Sequence, residues 1–150
     1  MRAVIQRVAN AAVVVNQETT GQITYGLLIL LGVEEADSQE DVDWLVRKII
    51  NMRILNDKNG VMNESITDQN AEVLVISQFT LHASTKKGNR PSYMRAARPE
   101  TAESLYKHFI TSLDENLETN VQSGIFGANM QVTFTNDGPV TILLDSKNPE

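Results

Sequence analysis

Met130-Gln131-Val132-Thr133-Phe134-Thr135-Asn136-Asp137-Gly138-Pro139-Val140-Thr141-Ile142-Leu143-Leu144 is the stretch that decides how this chain is read. Two strand-like runs rich in β-branched residues, Met130–Thr135 and Val140–Leu144, flank a Gly-Pro step. Glycine lets backbone approach a ligand closely, while proline fixes φ and removes an amide donor. Gly138-Pro139 therefore either presents rigid carbonyls with no side chain in the way, or simply turns the chain. The dipeptide alone leaves both open.

Working outward, Pro99 is suited to the first turn of a helix. Ala102, Leu105, Tyr106, Phe109, Ile110 and Leu113 follow at three- and four-residue steps, the clearest amphipathic pattern in the chain. An earlier helix opens at Ser38-Gln39-Glu40-Asp41, with Ser38 as its cap and Val42, Leu45, Val46, Ile49 and Ile50 as its buried stripe. Trp44 sits beside that stripe. Val4–Val15 reads as two strands or one bulged strand, because Ala9-Asn10-Ala11 interrupts a β-branched run. Residues 17–21 read as a turn. Leu27–Val33 is continuously apolar, as expected of a strand covered on both faces. Asn56–Gly60 is a turn, Glu72–Leu81 a further strand, and strands resume near Asn120 and run to Asp145. Residues 146–150 are expected to fray.

The order is strands, helix, strand, helix, strands, which is not the regular alternation of a doubly wound sheet. The prediction is an α/β fold: a mixed, largely antiparallel, barrel-like sheet with two main helices packed on it, one domain over residues 1–150.

The chain has no cysteine, which removes disulfides, thiol nucleophiles and Cys-ligated metals and fits a reducing compartment. With neither a leader-like segment nor an apolar run long enough for a bilayer, a soluble, cytoplasmic protein without membrane contact is expected. Net charge is −6, which argues against a general nucleic-acid binder. Yet five of the 13 basic residues, Lys86, Lys87, Arg90, Arg95 and Arg98, fall in one short acid-free segment. That run fits a solvated loop or a small phosphate-facing patch shaped by Gly88 and Pro91.

Chemistry-bearing motifs are few. The two histidines, His82 and His108, have no metal-site spacing, so neither metal nor cofactor is expected. His108 lies off the apolar stripe of its helix, and His82 follows Ser77-Gln78-Phe79-Thr80-Leu81, where it could stand near a site. Ser77 and Thr80 are the candidate hydroxyls, but no strong base accompanies them, and both could simply end a strand. Consecutive amides at that strand end could instead form an oxyanion hole. Phe79 fits either core or an aromatic face.

Taken with Ser77–Leu81, the segment Asn136-Asp137-Gly138-Pro139-Val140-Thr141 resembles the D-aminoacyl-tRNA deacylase family. Arg2–Val8, Gly26–Val33, Arg90-Pro91-Ser92-Tyr93 and Gly127–Val132 extend the likeness across nearly the whole chain. The resemblance implies a homodimeric editing hydrolase whose partner is aminoacyl-tRNA and which also removes glycine mischarged on alanine tRNA. It implies a cis Gly138-Pro139 peptide that reaches into the partner subunit's site, where its carbonyls capture the substrate's α-amino group and exclude L-side chains. Arg7 would hold those carbonyls, and otherwise reads as an exposed strand residue. Ser77, Gln78, Phe79 and Thr80 would form the pocket floor and the carbonyl donors, with Phe126 and Met130 around the terminal adenosine. Lys86, Lys87 and Arg90 would face tRNA phosphate. The family's use of the terminal ribose 2′-hydroxyl to assist water agrees with the shortage of bases. A related branch edits L-alanine mischarged on threonine tRNA, and the same fold serves in archaeal threonyl-tRNA synthetases. Chain length and Arg7 favour the D-specific branch over these, and over a non-enzymatic RNA- or aminoacyl-binding module.

Overall fold

In the computed structural model, which describes residues 1–149, the chain runs β1 (Arg2–Val15), β2 (Glu18–Ile23), β3 (Gly26–Gly32), α1 (Gln39–Asn51), β4 (Leu55–Asn56), β5 (Met62–Glu64), α2 (Ile66–Gln69), β6 (Glu72–Ser77), a 3₁₀ turn (Phe79–His82), α3 (Pro99–Asn116), β7 (Gln122–Ser123) and β8 (Gln131–Asp145). The predicted helices are α1 and α3; α2 adds a single turn of four residues. Ser38 is the cap of α1 and its N–H donates to the Asp41 carboxylate at 2.8 Å, while Pro99 occupies the first turn of α3.

β1 organises the sheet. Its first half pairs antiparallel with β3, from Arg2↔Gly32 to Val8↔Gly26, and its second half with β2, from Ala11↔Ile23 to Val15↔Glu18. Its other edge carries β8 throughout, from Arg2↔Asp145 to Val14↔Gln131. Val4–Val15 is therefore one strand, bent by bulges around Val8 and Asn10 so that two neighbours share its edge. β3 then pairs parallel with β6, and β6 with β7. The sheet curls until β7 approaches β2: a Cβ on Gly21 would lie 2.7 Å from the Ser123 carbonyl oxygen. The mixed sheet nearly closes into a barrel, as predicted.

Alternation along the strands makes two cores. Val8, Val13, Ile23, Leu28, Leu74 and Ile76 fill the barrel. Ile5, Leu27, Ile29, Val73 and Val75 point outward to meet Leu45 and Ile49 of α1 and Phe109 and Leu113 of α3. β3 is covered on both faces, which is why its sequence is continuously apolar. Among the described residues no helix is long and apolar enough to cross a membrane.

Four expectations change. The turn read over 17–21 shrinks to Asn16 and Gln17, at φ 49° and 68°, because β-branched Thr19 and Thr20 extend into β2. The strand read over Glu72–Leu81 stops at Ser77, where the chain winds into the 3₁₀ turn. The flanks of Gly138-Pro139 are not separate strands but one strand, β8, carrying a bulge. The tail expected to fray is held at its start. Ser146 donates from its backbone to the Met1 carbonyl at 2.9 Å and from its hydroxyl to Asp41 at 2.7 Å, and Lys147 Nζ meets Asp41 at 2.7 Å. Burial pushes the Asp41 carboxyl up, but hydrogen bonds from Lys147, Ser146 and the Ser38 amide outweigh it and hold the pKa at about 2.

Candidate active site

Two structural features carry the residues singled out in the sequence, and they lie on different parts of the chain. The first is the bulge in β8. Gln6 pairs with Thr141 and Val8 with Asn136, so Asp137–Val140 stand opposite Arg7 alone and are pushed out of the ladder. The Asn136 side chain closes the base of the bulge, accepting from Val140 N–H at 3.0 Å and donating to the Val140 carbonyl at 3.2 Å. The Gly138–Pro139 peptide is cis, and both residues are exposed.

Arg7 supports this bulge from beneath. It is 4 % exposed rather than an outward strand residue. Its Nη1 donates to the Ile54 carbonyl and to Asn56 Oδ1, both at 2.9 Å. Its Nε donates to the Asp137 carbonyl at 3.2 Å and lies 3.0 Å from the Asp137 carboxylate. The backbone oxygen Arg7 grips is thus that of Asp137, one residue before Gly138. Gly138 has φ +125°, and a Cβ there would lie 3.0 Å from Arg7 Nη2. Only glycine fits that backbone without displacing the guanidinium.

The second feature is a cavity of about 600 Å³ where β6 and the 3₁₀ turn meet the β7–β8 connection, the start of β8 and the start of α3. Ser77, Gln78, Phe79, Phe126 and Met130 all line it. Its shape follows from where β6 ends. Gln78 N–H still donates to the Leu31 carbonyl at 2.7 Å, but the next residues wind into the 3₁₀ turn instead of extending the ladder. Among the described residues the Phe79 and Thr80 amides, at the start of that turn, find no hydrogen-bond acceptor. Phe79 is 57 % exposed, so it belongs to the cavity mouth and not to the core. Thr80 lies just outside the lining, and its hydroxyl accepts a hydrogen bond from the Gln78 amide.

Tyr106, legible in the sequence only as part of an apolar stripe, also lines the cavity. Its hydroxyl donates to the Val75 carbonyl at 2.9 Å, and Gly124 N–H reaches the same oxygen at 3.3 Å. One carbonyl of β6 thereby holds both the helix and the start of the β7–β8 connection that carries Phe126, whose ring packs 5.6 Å from that of Tyr106. Burial raises the Tyr106 pKa to about 12, so it stays a neutral donor. Tyr93 meets Phe79 edge-on at 5.0 Å on the cavity rim. Tyr93 entered the sequence reading only within the family match Arg90–Tyr93, and Asn56 only as a turn residue, since each acts through a partner distant in sequence.

His82, considered near a site, is 1 % exposed and absent from the cavity lining; burial lowers its pKa. His108 lies at the surface, 3.8 Å from Asp43. Lys86, Lys87 and Arg90 are exposed, whereas Arg95 is tied to Glu34 at 3.0 Å.

The fold is a mixed sheet nearly closed into a barrel, and its cavity offers backbone donors and an apolar wall, with no nucleophile paired with a base among the described residues. A family model described as D-Tyr-tRNA(Tyr) deacylase matches residues 4–145, and the chain belongs to that family. Proteins named D-aminoacyl-tRNA deacylase from Flavobacterium johnsoniae and Chromobacterium violaceum are 56 % and 55 % identical to it, each over the full length of both chains. A solved structure described as c-Myc DNA Unwinding Element Binding Protein superposes with TM-score 0.92 at 41 % identity, covering 97 % of this chain and 98 % of that one. Another, described as a probable eukaryotic D-amino acid tRNA deacylase, shares the fold with TM-score 0.81 at 15 % identity, over 95 % and 97 % of the two chains.

Proposed function

We propose that this protein hydrolyses the ester joining a D-amino acid to tRNA, acting in the cytoplasm as a homodimer in which Gly138 and Pro139 of one subunit complete the cavity of the other. The observation that carries this is the separation of the two features. The carbonyl-bearing bulge is rigidly supported by Arg7, yet it is exposed and contributes nothing to the cavity of its own chain. The cavity in turn is open, and among the described residues the Phe79 and Thr80 amides at its edge have no acceptor.

On this reading the Phe79 and Thr80 amides receive the ester carbonyl, while Phe126 and Met130 flank the terminal adenosine. Water, assisted by the ribose 2′-hydroxyl, adds to the carbonyl carbon. The tetrahedral oxyanion is held by the two amides, and the ribose 3′-oxygen leaves with a proton. One such donor contributes roughly 3–4 kcal/mol to the transition state. Gly138 and Pro139 carbonyls accept from the substrate's α-ammonium, and an L-side chain collides with backbone. Glycine, including glycine mischarged on alanine tRNA, lacks the offending group and is accepted. General nucleic-acid binding, suggested by the name of the 41 %-identical relative, fits less well, because the chain carries −6 and its one acid-free basic segment, Lys86–Arg98, lies beside the cavity.

Two expected outcomes follow. In sedimentation, activity on D-tyrosyl-tRNA should track a dimer; a fully active monomer would defeat the shared site. Thr80→Ala should keep activity within roughly tenfold, because a threonine hydroxyl without a base is a poor nucleophile and the amides survive the substitution. Loss by many orders of magnitude in a folded variant, or an aminoacyl ester trapped on Thr80, would establish covalent catalysis instead.

A further inference from the structure

The segment after the 3₁₀ turn is anchored at two places and projects between them. Ser84 and Ser92 exchange backbone hydrogen bonds of 2.8 and 2.9 Å. Further on, Arg95 pairs with Glu34 at 3.0 Å and Ala97 N–H donates to the Val33 carbonyl at 3.0 Å. Residues 85–91 between Ser84 and Ser92 form an exposed finger, with Gly88 at φ +84°. It carries Lys86, Lys87 and Arg90, none of which forms an ion pair among the described residues. Between the anchors stand Tyr93, 39 % exposed, and Met94, 94 % exposed. Tyr93 packs on Phe79 at the cavity rim, and Met94 follows it in the chain as an exposed apolar side chain between that rim and Arg95.

The geometry points to this rim and finger as a binding site for the single-stranded nucleotides that precede the terminal adenosine of tRNA. Tyr93 and Met94 stack against nucleobases, and Lys86, Lys87 and Arg90 contact the phosphates. The inference rests on the deacylase reading of the cavity, which fixes where the terminal nucleotide lies. Aromatic faces beside a cationic track are the combination that holds single strands without reading their sequence. A flexible thioether adapts to whichever base is presented. Charge complementarity favours a polyanion here. The chain as a whole carries −6, but the segment from Ala83 to Arg98 contains no acidic residue, so it presents uncancelled positive charge beside the cavity.

The test compares D-tyrosyl-tRNA with D-tyrosyl-adenosine, which has the same ester but lacks the preceding nucleotides and their phosphates. Hydrolysis is followed across a salt series for the wild type, for Lys86→Ala/Lys87→Ala/Arg90→Ala, for Tyr93→Ala and for Tyr93→Phe. Each phosphate contact to a single strand contributes about 0.7 to the slope of log affinity against log salt, so the triple variant should lose about 2 from that slope on D-tyrosyl-tRNA. Tyr93→Ala should lose roughly tenfold in kcat/KM on D-tyrosyl-tRNA, mostly through KM, with a smaller loss on D-tyrosyl-adenosine and recovery in Tyr93→Phe. An unchanged salt slope in the triple variant, or an equal Tyr93→Ala loss on both substrates, would overturn the site. A wild type that hydrolyses neither substrate would overturn the deacylase reading beneath it.

Discussion

Arg7→Ala is expected to lower kcat/KM on D-tyrosyl-tRNA by roughly a hundredfold or more, since displacing a positioned group by about 1 Å can cost that much. The same change should destabilise the fold by about 3 kcal/mol, because it leaves one buried and two part-buried acceptors without their donor. Those acceptors are the Ile54 carbonyl, Asn56 Oδ1 and the Asp137 carbonyl, and the Asp137 carboxylate loses its counter-charge as well. Arg7→Lys should recover little, since a single ammonium cannot reach three acceptors set around a planar fork. Denaturant unfolding and steady-state kinetics on the same preparations separate the two effects. A variant that hydrolyses D-tyrosyl-tRNA at the wild-type rate would show that the bulge needs no support from beneath.

Gly138→Ala is expected to lower activity by about a hundredfold or more while costing no more stability than the local backbone strain. A backbone at φ +125° is strained for any L-residue, by about 1–3 kcal/mol. The added methyl would meet Val140 Cγ2 at 2.9 Å and Arg7 Nη2 at 3.0 Å, so either the bulge or the guanidinium must shift. Residues on an exposed bulge can shift without emptying a core, which is why the fold should survive. What moves is the pair of carbonyls assigned to chiral selection. A Gly138→Ala enzyme with unaltered rate and unaltered D/L preference would remove those carbonyls from the mechanism.

Where structure is set locally, the sequence was legible. Pro99 and Ser38 open their helices as read, and β3 is apolar throughout because the fold covers it twice. The cavity residues Ser77, Gln78, Phe79, Phe126 and Met130 were also found, but through the family likeness rather than through spacing. What failed depends on distant partners. Phe79-Thr80-Leu81 has strand-like composition, yet β6 ends at Ser77 and the chain coils into a 3₁₀ turn beside Gly32. Arg7 is buried only because Ile54 and Asn56 meet it from another segment. The bulge in β8 is a matter of register with β1, and composition does not record register.

Rejection of L-amino acids by collision with backbone at Gly138 and Pro139 is the step we propose for chiral selection. It is tested most directly by measuring single-turnover hydrolysis of D-tyrosyl-tRNA and L-tyrosyl-tRNA side by side. A preference for the D-ester of about a thousandfold is expected, which corresponds to roughly 4 kcal/mol in the transition state and lies within reach of a steric clash. Comparable rates on the two esters would contradict it.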